Sequence, residues 1–154
     1  MADPRDRYTL RPPQSSDDWS AYHAIRRGAI FAPLLPRHTY DEHDPDEFKP
    51  GHLPHLLVRD GEIVGTVRID LIDADQAGLR LIGIRNDLQR QGHGAILLQL
   101  AEKAAHAFGR TMAFLKRAVA MSSIVRVILR ILRMDLRRLS RARALAMYTS
   151  SAPG

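Results

Sequence analysis

The sequence predicts an α/β protein built on a mixed, mostly antiparallel sheet with helices on its flanks. Three observations carry that expectation. Short apolar runs rich in Val, Ile and Leu crowd into residues 55–84 with turn signals between them. One amphipathic helix pattern precedes these runs and another follows. A glycine-rich turn joins the last run to the second helix.

Residues 8–11 form the first strand, stopped by Pro12-Pro13. Ser15, Ser16, Asp17 and Asp18 supply N-cap residues for a helix whose apolar face is Trp19, Tyr22, Ile25 and Ile30. Pro33 and Pro36 end it. Residues 33–55, rich in His, Pro and acids, read as a loop with one helical turn. Residues 55–58 and 63–72 are strands joined through Asp60-Gly61, a strong hairpin signal. Residues 73–78 are a second turn, and 79–84 a further strand. A polar loop, 85–91, leads to Gly92-His93-Gly94. From there Ile96, Leu97, Leu100, Ala104 and Phe108 recur at helical steps, and Gly109 caps the end.

At 154 residues the chain is the size of one domain, and it has no cysteine for disulfides or thiolate metal sites. The lack of cysteine fits a reducing compartment, so a cytoplasmic protein is expected. The opening MADPRDRYTL is too polar for a secretory signal, and no apolar run approaches the ~20 residues of a transmembrane segment. The net charge of +6 is unevenly held. Residues 1–111 carry 14 Lys and Arg against 16 Asp and Glu, whereas 112–154 carry nine basic groups and one acid, Asp135. Neither Gly nor Pro occurs between Gly109 and Pro153. The single domain is therefore read as a core, 1–111, followed by a divergent basic helical tail, 112–154.

The segment from Gln89 to Ala95 lies between a strand and a helix. Its small residues would let phosphates approach the backbone, and the first N–H groups of a helix lack intrahelical partners and favour anions. The plainer reading is a turn that happens to hold two glycines. No Gly-Lys-Ser/Thr follows, so this is not a Walker loop. The third glycine and early βαβ unit of a dinucleotide fold are also missing.

Leu79 to Ile84, then Gln89-x-x-Gly92-x-Gly94-Ala95, then Leu97-Leu98 and Ala101-Glu102, resemble the acetyl-CoA site of the GNAT N-acetyltransferase superfamily. The preceding element order resembles that family too, as does Gly65-Thr66-Val67-Arg68, and the likeness covers roughly residues 8–111. It implies acetyl-CoA as cosubstrate. Backbone N–H groups of Gln91, Gly92, His93, Gly94 and Ala95 would bind the pyrophosphate, with Gln89 and Arg90 at the start of the motif. Ile82, Gly83 and Ile84 would lie beside the pantetheine arm, paired with the backbone of Ile82 and Ile84. A strand N–H would stabilise the developing oxyanion, and the amine would attack directly in a ternary complex.

The resemblance also implies acid–base groups, a carboxylate or water on the central strands and a tyrosine after the second helix. The candidates here are Asp70 and Tyr148. The plainer reading of Asp70, a solvent-facing strand residue, is the one taken. The family's aromatic-Tyr pair is missing after Gly109. The loop holding His38, Asp41, Glu42, His43, Asp44, Asp46, Glu47, His52 and His55 matches no compact metal motif, and no metal is expected. Its usual reading is a solvated loop; as a wall of the acceptor site, its five carboxylates in 41–47 would attract a cationic amine.

Residues 122–147 read as one helix with Arg126, Arg130, Arg133, Arg137 and Arg141 on one face and an apolar stripe opposite. Three readings stay open: a helix packed on the sheet or on a partner chain, a basic helix for lipid or nucleic acid, and a frameshifted tail. The first includes a homodimer through this helix. No nucleic acid is expected, because 122–147 has no aromatic side chain to stack on bases. The expected activity is acetylation of a primary amine, whether polyamine, amino acid, antibiotic or protein terminus. The alternative is a non-catalytic protein that binds coenzyme A or assembles through its tail.

Overall fold

The computed structural model describes residues 4–34 and 38–112, all within one compact unit, Met1–Ala120. A single sheet runs in the order β1 (Tyr8–Arg11), β2 (His52–Arg59), β3 (Glu62–Leu71), β4 (Gln76–Ile84), β5 (Thr111–Met112). The first four strands are mutually antiparallel. β5 runs parallel to β4 and, among the described residues, meets it at Gln76 and Ala77. This is the mostly antiparallel α/β arrangement that the sequence predicts.

Two strands begin three residues earlier than their apolar runs. β2 includes Pro54, which has no N–H for a ladder. It is tolerated because β1 pairs only with Leu56 to Arg59, leaving the start of β2 at an edge. β4 includes the polar Gln76, paired on its far side with Thr111. The β2–β3 hairpin turns on Asp60 and Gly61, with φ of 50° and 85°, as a two-residue primed turn requires.

α1 (Ser16–Ile25) covers one face of the sheet and α2 (His93–Ala107) the other. Leu56 and Leu57 are neighbours on β2, and both are fully buried because they point to opposite faces. Leu56 packs with Tyr22 and Trp19 of α1; Leu57 packs with Val67, Ile69 and Leu97 under α2. Ser15 caps α1, its hydroxyl accepting from the Asp18 N–H at 3.2 Å. Asp18 in turn accepts from the Gln14 N–H at 2.8 Å and from two nitrogens of Arg11.

The sequence predicts one helix reaching Pro33. Instead α1 widens at Arg26 into a π-helical turn, Arg26–Phe31, and ends in a 3₁₀ turn, Ala32–Leu34. The wider turn places Ile25 and Ile30 one above the other. Both reach Gly83 on β4, where a Cβ would meet Ile30 at 3.2 Å and Ile25 at 3.4 Å. α2 ends as expected at Gly109, whose φ is 71°. Its N–H reaches the His106 carbonyl and that of Arg110 the Ala105 carbonyl, closing a Schellman motif.

The tail helix, Tyr148 and any dimer contact through that helix lie outside the described residues. Among the described residues, no helix is long and apolar enough to cross a membrane.

Candidate active site

The turn before α2 is held open by its backbone. Arg90 has φ of 61° and Gly92 of 90°, so the chain twice enters the left-handed region within three residues. Ala95 turns its N–H to the Gly92 carbonyl at 3.2 Å, as does Ile96 at 3.4 Å. Among the described residues, the N–H groups of Gln91, Gly92, His93 and Gly94 have no acceptor. The four amides cluster at the positive end of a 15-residue helix.

Side chains of the motif brace this turn. Gln89 Nε2 donates to the Ile84 carbonyl at 3.1 Å and to Asn86 Oδ1 at 3.0 Å. Gln91 Nε2 donates to the Asp87 carbonyl at 3.2 Å. Asn86 Nδ2 reaches the Gly28 carbonyl in the π turn at 3.4 Å, tying α1 to the loop. His93 is 2% exposed and turns inward, its Nδ1 2.8 Å from the Tyr8 hydroxyl. Only its backbone belongs to the open turn.

β4 carries one residue more than β3. Thr66 pairs with Gly83 and Arg68 with Arg80, so Leu81 and Ile82 together face Val67. Leu81 takes φ of 51°, a left-handed bulge residue without glycine. The bulge lies beyond the last contact with β5. Among the described residues, β4 after Ala77 therefore has no strand on its outer edge. Arg85 sends its N–H to Val64 of β3, so alternation turns the amide and carbonyl of Ile84 to that outer edge. The Ile84 carbonyl is already taken by Gln89, which leaves its N–H.

The α1 face of the sheet holds a buried ionic cluster. Glu47 accepts from the Tyr22 hydroxyl and from Arg26, each at 2.5 Å, and from Arg68 at 3.4 Å. Arg68 also donates twice to Asp70, at 2.7 and 3.1 Å, and to Asp46 at 3.0 Å. Arg80 Nε lies 2.7 Å from Asp70. The solvent-facing reading of Asp70 is thus corrected: the residue is 5% exposed and held between two guanidinium groups. Alternation and register decide this: Arg68 and Asp70 are two residues apart on β3, and Arg80 pairs opposite Arg68. The acidic loop is also largely neutralised, with Glu42 on Arg27, and Asp46 on Lys49 and Arg68.

Burial pushes Glu47 up, but the hydrogen bond and charge of Arg26 outweigh it and hold the carboxyl below the usual range. Lys49 and Arg68 bring Asp46 down to about 2, and Arg11 does the same for Asp18. Burial, and then the charge of Arg59, push His93 down; burial also lowers His23 and His55. A histidine held low favours folding only while neutral, so its share of stability is complete above about pH 6.5 and fades as pH falls. The depressed carboxylates contribute fully above about pH 4.5 and lose that share toward about pH 2. The melting temperature should therefore decline in two stages, first below about pH 6.5 and again below about pH 4.5. Thermal scans from neutral pH to about pH 2 check this; a flat profile down to about pH 4.5 would contradict the histidine stage.

A sequence model of the acetyltransferase (GNAT) family matches residues 17–123. No curated protein matches the chain. Among solved structures, the ribosomal-protein-S18-alanine N-acetyltransferase of Escherichia coli has a TM-score of 0.58 at 21% identity, over 77% of this chain and 72% of that one. A GNAT family acetyltransferase from Elizabethkingia anophelis, with acetyl-CoA bound, has a TM-score of 0.56 at 17% identity, over 83% and 75%. The N-acetylglutamate synthase of Neisseria gonorrhoeae, complexed with coenzyme A and N-acetyl-glutamate, has a TM-score of 0.52 at 19% identity. The match covers 67% of this chain but only 23% of that longer protein. These likenesses concern the fold.

Proposed function

The chain belongs to the GNAT acetyltransferase family, and on that premise we propose that it transfers an acetyl group to an amine by direct attack within a ternary complex. Acetyl-CoA is the cosubstrate, and it supplies an activated thioester carbonyl and a good leaving group. Four amides without acceptors among the described residues, at the N-terminus of α2 and beside the bulged edge of β4, carry this reading.

The amides of Gln91, Gly92, His93 and Gly94 bind the pyrophosphate, their dipole already oriented. The outer edge of β4 receives the pantetheine arm through backbone groups, of which the Ile84 N–H is one. An N–H of the bulged stretch polarises the acetyl carbonyl and takes the charge that gathers on its oxygen during attack. Fixing both reactants side by side supplies much of the rate. Asp70 is not assigned as the base. Its oxygens accept two hydrogen bonds from Arg68 and lie against the Arg80 guanidinium, so a proton there would disrupt two ion pairs. The amine gives its proton to water. A cytoplasmic location accords with the absence of cysteine.

Calorimetric titration of the full chain with acetyl-CoA, followed by thiol release in the presence of amines, tests the proposal. Micromolar binding with amine-dependent release of coenzyme A is expected. Absence of binding would overturn the reading, and binding without transfer to any amine would reduce it to a coenzyme-A-binding protein.

A further inference from the structure

The ionic cluster on the α1 face has more positive than negative charge. Arg26, Lys49, Arg68 and Arg80 share three carboxylates, Asp46, Glu47 and Asp70. The cluster is graded in depth. The Arg26, Arg68, Glu47 and Asp70 side chains are 1%, 4%, 7% and 7% exposed, whereas Arg80 is 51% exposed. Arg80 is thus where the buried chain of charges reaches solvent. Its Nε lies 2.7 Å from Asp70, which accepts two hydrogen bonds from Arg68, which in turn donates to Glu47 and Asp46.

Among the described residues, the two terminal nitrogens of Arg80 have no acceptor. A buried ionic chain of this kind adds little net stability over an apolar packing of similar volume. It does set one guanidinium against a fixed carboxylate at the solvent boundary, and a guanidinium fork matches a carboxylate bidentately. Arg80 also stands one residue before the bulged Leu81, on the face covered by α1 rather than by the helix that carries the open amides. It therefore lies beside the edge assigned to the thioester, on the opposite side of the sheet from α2.

The geometry points to an acceptor that is itself an acid: an amine bearing a carboxylate a few bonds away, as in a free amino acid, with Arg80 as its carboxylate-binding residue. This rests on the acetyltransferase reading above and narrows its substrate class. It replaces the attraction of a cationic amine to the acidic loop, most of whose carboxylates are already paired within the protein.

The full chain is tested with acetyl-CoA against matched series of free amino acids, their carboxamides and the corresponding decarboxylated amines, with products read by mass spectrometry. Arg80→Gln and Arg80→Lys are run in parallel, with an acetyl-CoA titration of each to show that the donor side is intact. At least one free amino acid should be acetylated with a KM about tenfold or more below that of its amide. Arg80→Gln should bring that ratio close to unity through KM, with kcat for the acid much less affected. Arg80→Lys, which keeps the charge but not the fork, should fall between. Equal use of acids and amides, turnover of the neutral series alone, or an acid preference that survives Arg80→Gln would overturn the inference while leaving acetyl transfer intact. Acetyl-CoA binding with no turnover of any series would also overturn it. Failure to bind acetyl-CoA at all would instead remove the premise.

Discussion

Replacing Glu47 with alanine should destabilise the fold by about 3–5 kcal/mol, the range for breaking a buried ion pair on one side only. Glu47 is 5% exposed and accepts from three groups at once: the Tyr22 hydroxyl, Arg26 and Arg68. Arg26 is 1% exposed and its Nε and Nη2 already lack partners among the described residues. Without Glu47, it keeps the face of the Tyr22 ring, 4.1 Å from the guanidinium carbon, but no carboxylate. The charge would then be buried and uncompensated. Glu47→Gln, which keeps acceptors but not the charge, should lose less. Arg26→Met in the Glu47→Ala background should recover part of the loss, because it removes the stranded charge. Urea denaturation of the four proteins measures this. A loss below about 1 kcal/mol for Glu47→Ala, the scale of an exposed pair, would show that the cluster is solvated.

Gly92→Val should weaken acetyl-CoA binding by about ten- to a hundredfold, as expected for losing a charge-assisted hydrogen bond or two from the amide run. Gly92 has φ of 90°, and a Cβ there would meet nothing within 4 Å. The protein itself therefore presents no clash. The effect must come from a β-branched residue leaving the left-handed region and from the bulk it presents to a bound phosphate. The backbone strain alone should cost about 1–3 kcal/mol of stability. The titration is accordingly made where thermal scans show the variant folded. Unchanged affinity would remove Gly92 from the phosphate site.

Much of this architecture is legible in the residues. The Asp60-Gly61 hairpin, the Ser15 cap, the glycine turn and the Gly109 stop are local chemistry, set by which residues tolerate positive φ or accept from a free N–H. Periodicity placed both helices. The bulge in β4 was not legible, because its left-handed residue is Leu81 rather than glycine. Strict alternation along 79–84 would put Gly83 and Leu79 on one face. The structure instead turns Gly83 toward α1 and packs Leu79, Ile82 and Ile84 under α2. The cluster of Arg68, Asp70 and Arg80 is illegible for another reason: which residues face each other depends on where the β3–β4 turn falls. Glu47 reaches that cluster from a loop 21 residues away in sequence from Arg68, and no local pattern announces such a contact. The π turn was illegible for a related reason: it answers to Gly83 across the sheet, not to its own residues. In the glycine turn, the sequence anticipates open amides at Gln91 to Gly94, but neither the bond of the Ala95 N–H to the Gly92 carbonyl nor the inward direction of the His93 ring.

The extra residue in β4 also separates what is good for the sheet from what is good for the enzyme. Deleting Leu81 alone would leave every recorded pairing between β3 and β4 in place, with Arg80 opposite Arg68 and Gly83 opposite Thr66. It would remove a leucine from a conformation that costs about 1–3 kcal/mol. The shortened protein should melt higher and bind acetyl-CoA poorly, since the bulged stretch assigned to the acetyl carbonyl would be gone. A thermal scan beside an acetyl-CoA titration would show whether the two properties part in this way. A strand one residue longer than its ladder needs is a standing sacrifice of stability, here at the edge proposed for the thioester.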